Sequence, residues 1–257
     1  MVDFQNIANL IVEASKYITA DRLCMVRDKG KTEFVTNADL EINMFLKDEL
    51  KKIDENIGYF SEEEDGHLSD PCWILDPIDG TTNLIFGYKM ISISLALFLD
   101  GEVRFGVVYD PFYKELFIAE KNKGAFVNGR RLCTSSRDVK DSIIEFGVIS
   151  RNKENVDVDF EIARNIYMNC MDIRRTCSAA LNLCYIADAR LDGYFSTIIE
   201  PWDIAAGALI LNESGGKISC YGGGKINFAA PTSAIASNGI IHDFLQQATI
   251  LKAPGDC

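Results

Sequence analysis

Two aspartates three residues apart, followed at once by a glycine and two threonines, are the part of this sequence best equipped for chemistry. They lie in the run Trp73-Ile74-Leu75-Asp76-Pro77-Ile78-Asp79-Gly80-Thr81-Thr82-Asn83. The apolar Trp73–Leu75 reads as a strand that delivers Asp76, Pro77 forces a turn, and Gly80-Thr81-Thr82 opens a helix. No basic residue stands nearby, so two carboxylates at one strand end repel each other unless a cation lies between them. Backbone amides at a helix start suit phosphate oxygens. Metal carboxylates beside such amides are what metal-assisted phosphoryl transfer to water requires. A bare D-x-x-D-G stretch, taken alone, is more often a tight turn with solvated acids and a capping threonine.

Further acids shift that balance. Ser61-Glu62-Glu63-Glu64-Asp65 follows an apolar strand, and Trp202-Asp203 opens a small-residue helix in which Asp203 also suits an N-cap. The whole chain leans the same way, with 38 Asp+Glu against 26 Lys+Arg in 257 residues and a net charge of −12. Its 47% hydrophobic and 25% charged content is that of a soluble globular protein. An acidic chain lacks the basic surface that displaces counterions from phosphates, so neither a nucleic-acid polymer nor a membrane surface is expected as a partner. An anionic substrate would have to be met through bound cations.

Histidine is scarce. His67 and His242 alone exclude a multi-histidine zinc site, and neither has the partners of a base. The eight cysteines contain no C-x-x-C pair and read as mostly buried free thiols of a reducing compartment. The N-terminus carries Asp3, Glu13 and Lys16 within its apolar pattern, and the longest apolar stretch, Ile91–Leu99, is too short to span a bilayer. A cytoplasmic location is expected.

Several elements must position these residues. Ile7, Ile11, Ala14 and Ile18 have helical spacing within residues 3–24, and a second helix starts near Asp39 with Thr36 and Asn37 as caps. Between them Arg27–Glu33 reads as a charged mobile loop. Strands are predicted at 57–60, 72–76, 91–99, 102–109, 115–119 and 125–127, with hairpin turns at Asp100-Gly101 and Asn128-Gly129. Beyond a strand at 143–149 come helices near 159–168, 178–189, 203–213 and 242–251, with strands at 172–175, 193–196 and 234–237. Runs of strands between separate helices predict an α+β layered sandwich.

At this point the sequence resembles the inositol monophosphatase family. The resemblance rests on Phe-Ser-Glu62-Glu-Glu, the Trp73–Asn83 run, Pro-Trp-Asp203-Ile-Ala-Ala-Gly with Glu-Ser-Gly-Gly, Phe-Val-Thr-Asn-Ala-Asp39, and Arg-Arg-Thr-Cys177-Ser-Ala-Ala-Leu-Asn. It extends from the first helix to Ser237-Asn238. It implies an αβαβα layered sandwich over a single domain, 1–257, with an N-terminal α+β half to about 140 and a C-terminal α/β half from about 141. It further implies a homodimer and a Mg²⁺-dependent phosphatase holding two or three ions, with Li⁺ as an inhibitor. Glu62, Asp76 and the carbonyl of Ile78 match the family's first metal site, and Asp76, Asp79 and Asp203 the second. Asp39 matches the acid that bonds the Thr81 hydroxyl, while Thr81 and Glu62 orient the attacking water. Asp79, Gly80, Thr81, Cys177, Ser178, Ala179, Ser196 and Asp203 match substrate-contacting positions.

The departures fall on the substrate side. Cys177 stands where Gly is commoner, and Ser196 where inositol-selective members carry a Glu for ring hydroxyls. Glu200 often has a neutral or basic counterpart. Lys29-Gly30-Lys31 is placed to close over a phosphate or simply to be solvated. An inositol-1-phosphatase activity heads the expectation for a small phosphorylated polyol, sugar or nucleotide. Fructose-1,6-bisphosphatase, histidinol-phosphatase and 3′-phosphonucleotide phosphatase activities are the alternatives on the same scaffold. A non-catalytic sugar-phosphate-binding or regulatory protein is the alternative of another class.

Overall fold

The structure, a computed structural model, describes residues 3–19, 27–30, 33–147 and 156–250. Asp3 caps the first helix, α1 (Phe4–Ala14), whose apolar spacing buries Ile7, Ala8, Ile11 and Ala14. The helical pattern expected to continue past Ala14 instead tightens into a 3₁₀ turn at Ser15–Tyr17. The expected loop at 27–33 is corrected: β1 (Arg27–Gly30) pairs antiparallel with β2 (Glu33–Val35). Backbone pairing satisfies N–H and C=O groups whatever the side chains carry, so a charged, Gly-containing segment need not be irregular. Lys31 lies outside the described residues. Helix α2 (Asn37–Ile53) starts at the Thr36 cap as predicted.

Two sheets follow. The larger has the order β3 (Gly58–Ser61), β4 (Cys72–Asp79), β5 (Ser92–Leu99), β6 (Glu102–Asp110), β7 (Glu115–Glu120), β8 (Gly124–Val127), β9 (Arg130–Arg131). Only its first pair is parallel. A short helix, α3 (Thr81–Ile85), interrupts it after β4. The second sheet has the order β11 (Asp172–Arg174), β10 (Ile143–Gly147), β12 (Gly193–Ile199), β14 (Thr232–Ser237), β13 (Lys217–Ser219). Strand β13 was not predicted, because three residues are too few to display alternation. The remaining helices are α4 (Val156–Tyr167), α5 (Ala179–Ala187), α6 (Pro201–Glu213) and α7 (His242–Ile250).

Burial sorts these elements into five layers. Helices α1 and α2 pack on one face of the large sheet through Ile42, Leu46, Trp73 and Phe105. Helices α5 and α6 fill the space between the sheets with Leu183, Ile186, Ile204 and Ile210. Helices α4 and α7 cover the outer face of the small sheet through Ile162, Ile166 and Leu245. The architecture is α+β, layered αβαβα. Helix α6 is apolar almost all round, as a helix covered on both sides must be. It approaches β6 closely at Gly106, where an added Cβ would lie 2.8 Å from the Ala206 carbonyl oxygen.

Among the described residues no helix is long and apolar enough to cross a membrane. The free cysteines are only partly as expected: Cys72 and Cys184 are buried, but Cys133 and Cys177 are exposed. Cys220 is disulfide-bonded, against the free-thiol reading.

Candidate active site

Strand β4 does not turn at Pro77 but runs on to Asp79. Asp76 faces Ser94 and Asp79 faces Ser92, so three steps on β4 match two on β5. That is a bulge of one extra residue, and Pro77, which has no N–H for the ladder, falls inside it. Side chains alternate along a strand, so residues three apart should point to opposite faces. The extra residue cancels the odd step and turns both carboxylates to one side. Gly80 then takes φ +97°, a left-handed conformation open to glycine, and α3 begins at Thr81 as predicted.

Asp203 arrives from α6. It is not the N-cap, as the sequence suggested, but the third helical residue, and it accepts a 3.2 Å bond from the Glu200 amide. Pro201 at the first helical position moves the start of the helix upstream. One oxygen each of Asp76, Asp79 and Asp203 lie within 4.8 Å of one another. Glu62, just beyond β3, is outside this tight trio but lines the same cavity of about 310 Å³. Ile78, Gly80, Thr81, Cys177, Ser178, Ala179 and Ser196 line it too, so the cavity collects every expected site residue except Asp39.

Burial pushes the Asp76 carboxyl well above its usual range, and the charges of Glu62, Asp79 and Asp203 push the same way. Asp203 is raised by burial, then by Asp79 and Glu62. Asp79 is pushed up to about 6 by burial, against hydrogen bonds that favour its charged form. Converging carboxylates of this kind, with Asp76 and Asp79 buried and Asp203 half-buried, favour a cation or protons. Hard, closely set oxygens fit a small divalent ion.

Asp39 stands behind the trio, 1% exposed. It is the third residue of α2, and its Oδ2 accepts from the Thr36 amide (2.8 Å) and hydroxyl. Its Oδ1 faces the Thr81 hydroxyl at 3.1 Å, which also lies 3.1 Å from the Ile78 carbonyl. A hydroxyl has one proton, so donation to Asp39 leaves its lone pairs toward the cavity. Asp39→Asn is expected to lower kcat about 10–100-fold with less effect on Mg²⁺ affinity, as an outer partner of a metal site does. Steady-state rates over a Mg²⁺ titration check this, and an unchanged kcat would remove the role.

The residues expected on the substrate side also hold Asp79. The Ser178 hydroxyl donates to Asp79 Oδ2 at 2.6 Å, as do the Ala180 amide at 2.9 Å and the Ser92 hydroxyl at 3.3 Å. The Ala179 amide donates to Oδ1 at 3.1 Å. The start of α5 thus grips Asp79, and Oδ1, with one partner, keeps capacity for a cation. Ser196 is buried and donates to the Ile198 carbonyl at 2.8 Å. Cys177 adopts φ +60°, in the left-handed region that favours glycine. Sequence reasoning passed over Ser92, Asn83 and Glu145. Asn83 carried a signal as the end of the Trp73–Asn83 run, and Glu145 as a lone acid inside the apolar strand Ile143-Ile144-Glu145-Phe146.

These shifts predict a pH dependence. Asp39 and Asp79 hold protons up to about pH 6, against 3.8 for an ordinary aspartate, chiefly because burial disfavours the charge. Between about pH 4 and 6 the folded state binds more protons than the unfolded chain, so these groups remove stability as pH rises. His242 acts oppositely. Burial depresses it to about 4, so its neutral form adds stability as pH rises from about 4 to 6.5. It is held between the Ser219 and Ser237 hydroxyls at 2.9 and 3.0 Å. Comparing Tm with and without Mg²⁺ at each pH cancels the histidine. The Mg²⁺-induced rise is expected to be larger at pH 7 than at pH 5, because protons and the ion compete for the same oxygens. An equal or larger rise at pH 5 would contradict the assignment.

Comparison with known proteins comes to the same place. The profile described as "Inositol monophosphatase family" matches residues 3–252. The "Nus factor SuhB" of Escherichia coli is 37% identical over 234 residues, 90% of this chain and 86% of that one. The "Inositol-1-monophosphatase" of Mesorhizobium japonicum is 35% identical over 229 residues, 88% of this chain and 84% of its own. The crystal structure of the extragenic suppressor protein suhB from Bartonella henselae superposes with a TM-score of 0.90 at 32% identity, covering 96% of this chain and 98% of that one.

Proposed function

The chain belongs to the inositol monophosphatase family, and from that premise we propose that it hydrolyses a small phosphate monoester in a Mg²⁺-dependent reaction. The observation that carries this reading is the convergence of Asp76, Asp79 and Asp203 on one cavity, with the Asp39–Thr81 pair behind them. The carboxylates of Glu62, Asp76, Asp79 and Asp203 and the Ile78 carbonyl would hold two or three ions. Bound divalent ions supply positive charge to the phosphoryl oxygens and make water a stronger nucleophile.

The chain's own residues do the rest. Asp39 takes the Thr81 proton into its hydrogen bond, so that the Thr81 oxygen accepts from the attacking water. Glu62, on the same cavity wall, offers a second acceptor to that water. The Gly80 and Thr81 amides hold phosphoryl oxygens, favoured by the turn that Gly80 makes. With only two histidines, neither at the site, no imidazole takes part in this scheme. We propose inositol 1-phosphate as the first substrate to test, in a single-domain homodimer. Ser196 donates its proton to the Ile198 carbonyl, so it offers a ring hydroxyl a neutral acceptor in place of a carboxylate.

Phosphate release from inositol 1-phosphate, fructose 1,6-bisphosphate, histidinol phosphate and a 3′-phosphonucleotide, with Mg²⁺ and with EDTA, tests the reading. Mg²⁺-dependent release from at least one is expected. Preference by kcat/KM for another substrate would replace the inositol assignment, and no release from any would overturn the hydrolase. The relatives named Nus factor SuhB favour a second reading, a regulatory role beside hydrolysis. A net charge of −12 therefore does not exclude a nucleic-acid partner. A binding function that survives Asp79→Asn would separate the two roles.

A further inference from the structure

Resting on that reading, we propose that Glu145 is a positioning residue that tunes divalent-ion affinity by clamping the turn Thr176-Cys177-Ser178, which in turn holds Asp79. Glu145 sits on β10 of the small sheet, fully buried. Its Oε1 accepts from the Thr176 amide and lies 3.1 Å from the Thr176 hydroxyl, which also reaches Asn182 Oδ1 at 2.9 Å. Burial raises its carboxyl pKa, and these bonds oppose the rise. Its Oε2 is buried with no hydrogen-bond partner among the described residues, so the bonds that the turn makes to Oε1 are what offset the cost of burying the acid.

The same turn is gripped from the opposite side by Asn83, at the end of the Asp-Gly-Thr-Thr-Asn run. The Asn83 amide donates to the Thr176 carbonyl at 2.7 Å and the Cys177 carbonyl at 3.5 Å, and to the Met90 carbonyl at 2.7 Å. Between the two clamps Cys177 is held at φ +60°, a left-handed conformation unfavourable for a residue with a Cβ. It persists only where the surroundings over-determine it. The next three residues all donate to Asp79. The turn therefore joins the bulge of the large sheet to the strand of the small one, and Asp79 sits at the joint.

Mn²⁺ binding to metal-stripped protein, followed by electron paramagnetic resonance of the free ion, tests this without any catalytic step. Glu145→Leu is expected to weaken Mn²⁺ binding about 10–100-fold, the usual effect of removing an outer partner. The Mg²⁺ needed for half-maximal rate is expected to rise in parallel, with kcat at saturating Mg²⁺ much less changed. Glu145→Gln retains the acceptor and is expected to bind Mn²⁺ within about three-fold of the wild type, a loss of under 1 kcal/mol. A ten-fold loss in Glu145→Gln would assign the effect to charge and overturn positioning. Asn83→Asp, which sets an acceptor against three carbonyls, is expected to weaken binding as Glu145→Leu does, and it decides the matter if Glu145→Leu does not fold. Wild-type Mn²⁺ affinity in the folded Glu145→Leu or Asn83→Asp protein would overturn the inference. If wild-type protein binds Mn²⁺ yet releases no phosphate, the hydrolase reading fails while this inference stands.

Discussion

Asp79→Asn is expected to abolish Mg²⁺-dependent phosphate release, lowering kcat about a thousand-fold or more. Charge stabilisation by a bound ion is worth several kcal/mol. At about 1.4 kcal/mol per factor of ten, losing it removes at least three orders of magnitude. Asp79 is the most constrained of the three carboxylates, with four donors spread over its two oxygens. An asparagine fits the same space but must turn an NH₂ group toward one set of those donors. The substitution thus removes a charge from the proposed metal cluster and loosens its grip on the start of α5. Near-UV circular dichroism and Tm should show a folded protein. Full activity of that protein at saturating Mg²⁺ would refute the metal role of Asp79.

Gly80→Ala is expected to cause the second largest loss, in activity and stability together. Gly80 holds φ +97°, and a Cβ there would lie 2.8 Å from the Met90 carbonyl oxygen and 3.3 Å from that of Cys177. The backbone conformation alone costs roughly 1–3 kcal/mol for a non-glycine residue. Overlap with fixed backbone atoms adds a similar amount, about 1–3 kcal/mol. Relief requires Asp79 and Thr81 to move, and a displacement of about 1 Å at a reacting centre costs on the order of a hundred-fold in rate. Thermal unfolding and kcat/KM measured together check this. A variant with unchanged Tm and unchanged rate would show that neither strain nor displacement is real.

Much of the fold was legible from local pattern. The cap at Thr36, the hairpin turns at Asp100-Gly101 and Asn128-Gly129, and the opening of α3 after Gly80 follow from side chains acting on their own backbone within four residues. What was misread depended on a partner. The charged β1–β2 segment carries no apolar alternation, and β13 is only three residues long, so both owe their form to pairing. Pro77 read as a turn because proline cannot join a ladder. It is instead absorbed by a bulge that exists only against β5. The placing of Asp203 as N-cap failed by three residues because Pro201 starts the helix earlier.

The sequence by itself determined which groups are present for chemistry: the carboxylates, the glycine between Asp79 and Thr81, and the scarcity of histidine. Those are properties of residue types and short spacings, and they need no partner. Only the tertiary structure decided that Asp76 and Asp79 share a face, that Asp203 meets them from the helix between the sheets, and that Glu145 reaches the turn holding Asp79. The reason is physical. A side chain's direction on a strand is set by register with its neighbour. The meeting of residues more than a hundred positions apart is set by how layers bury their apolar faces.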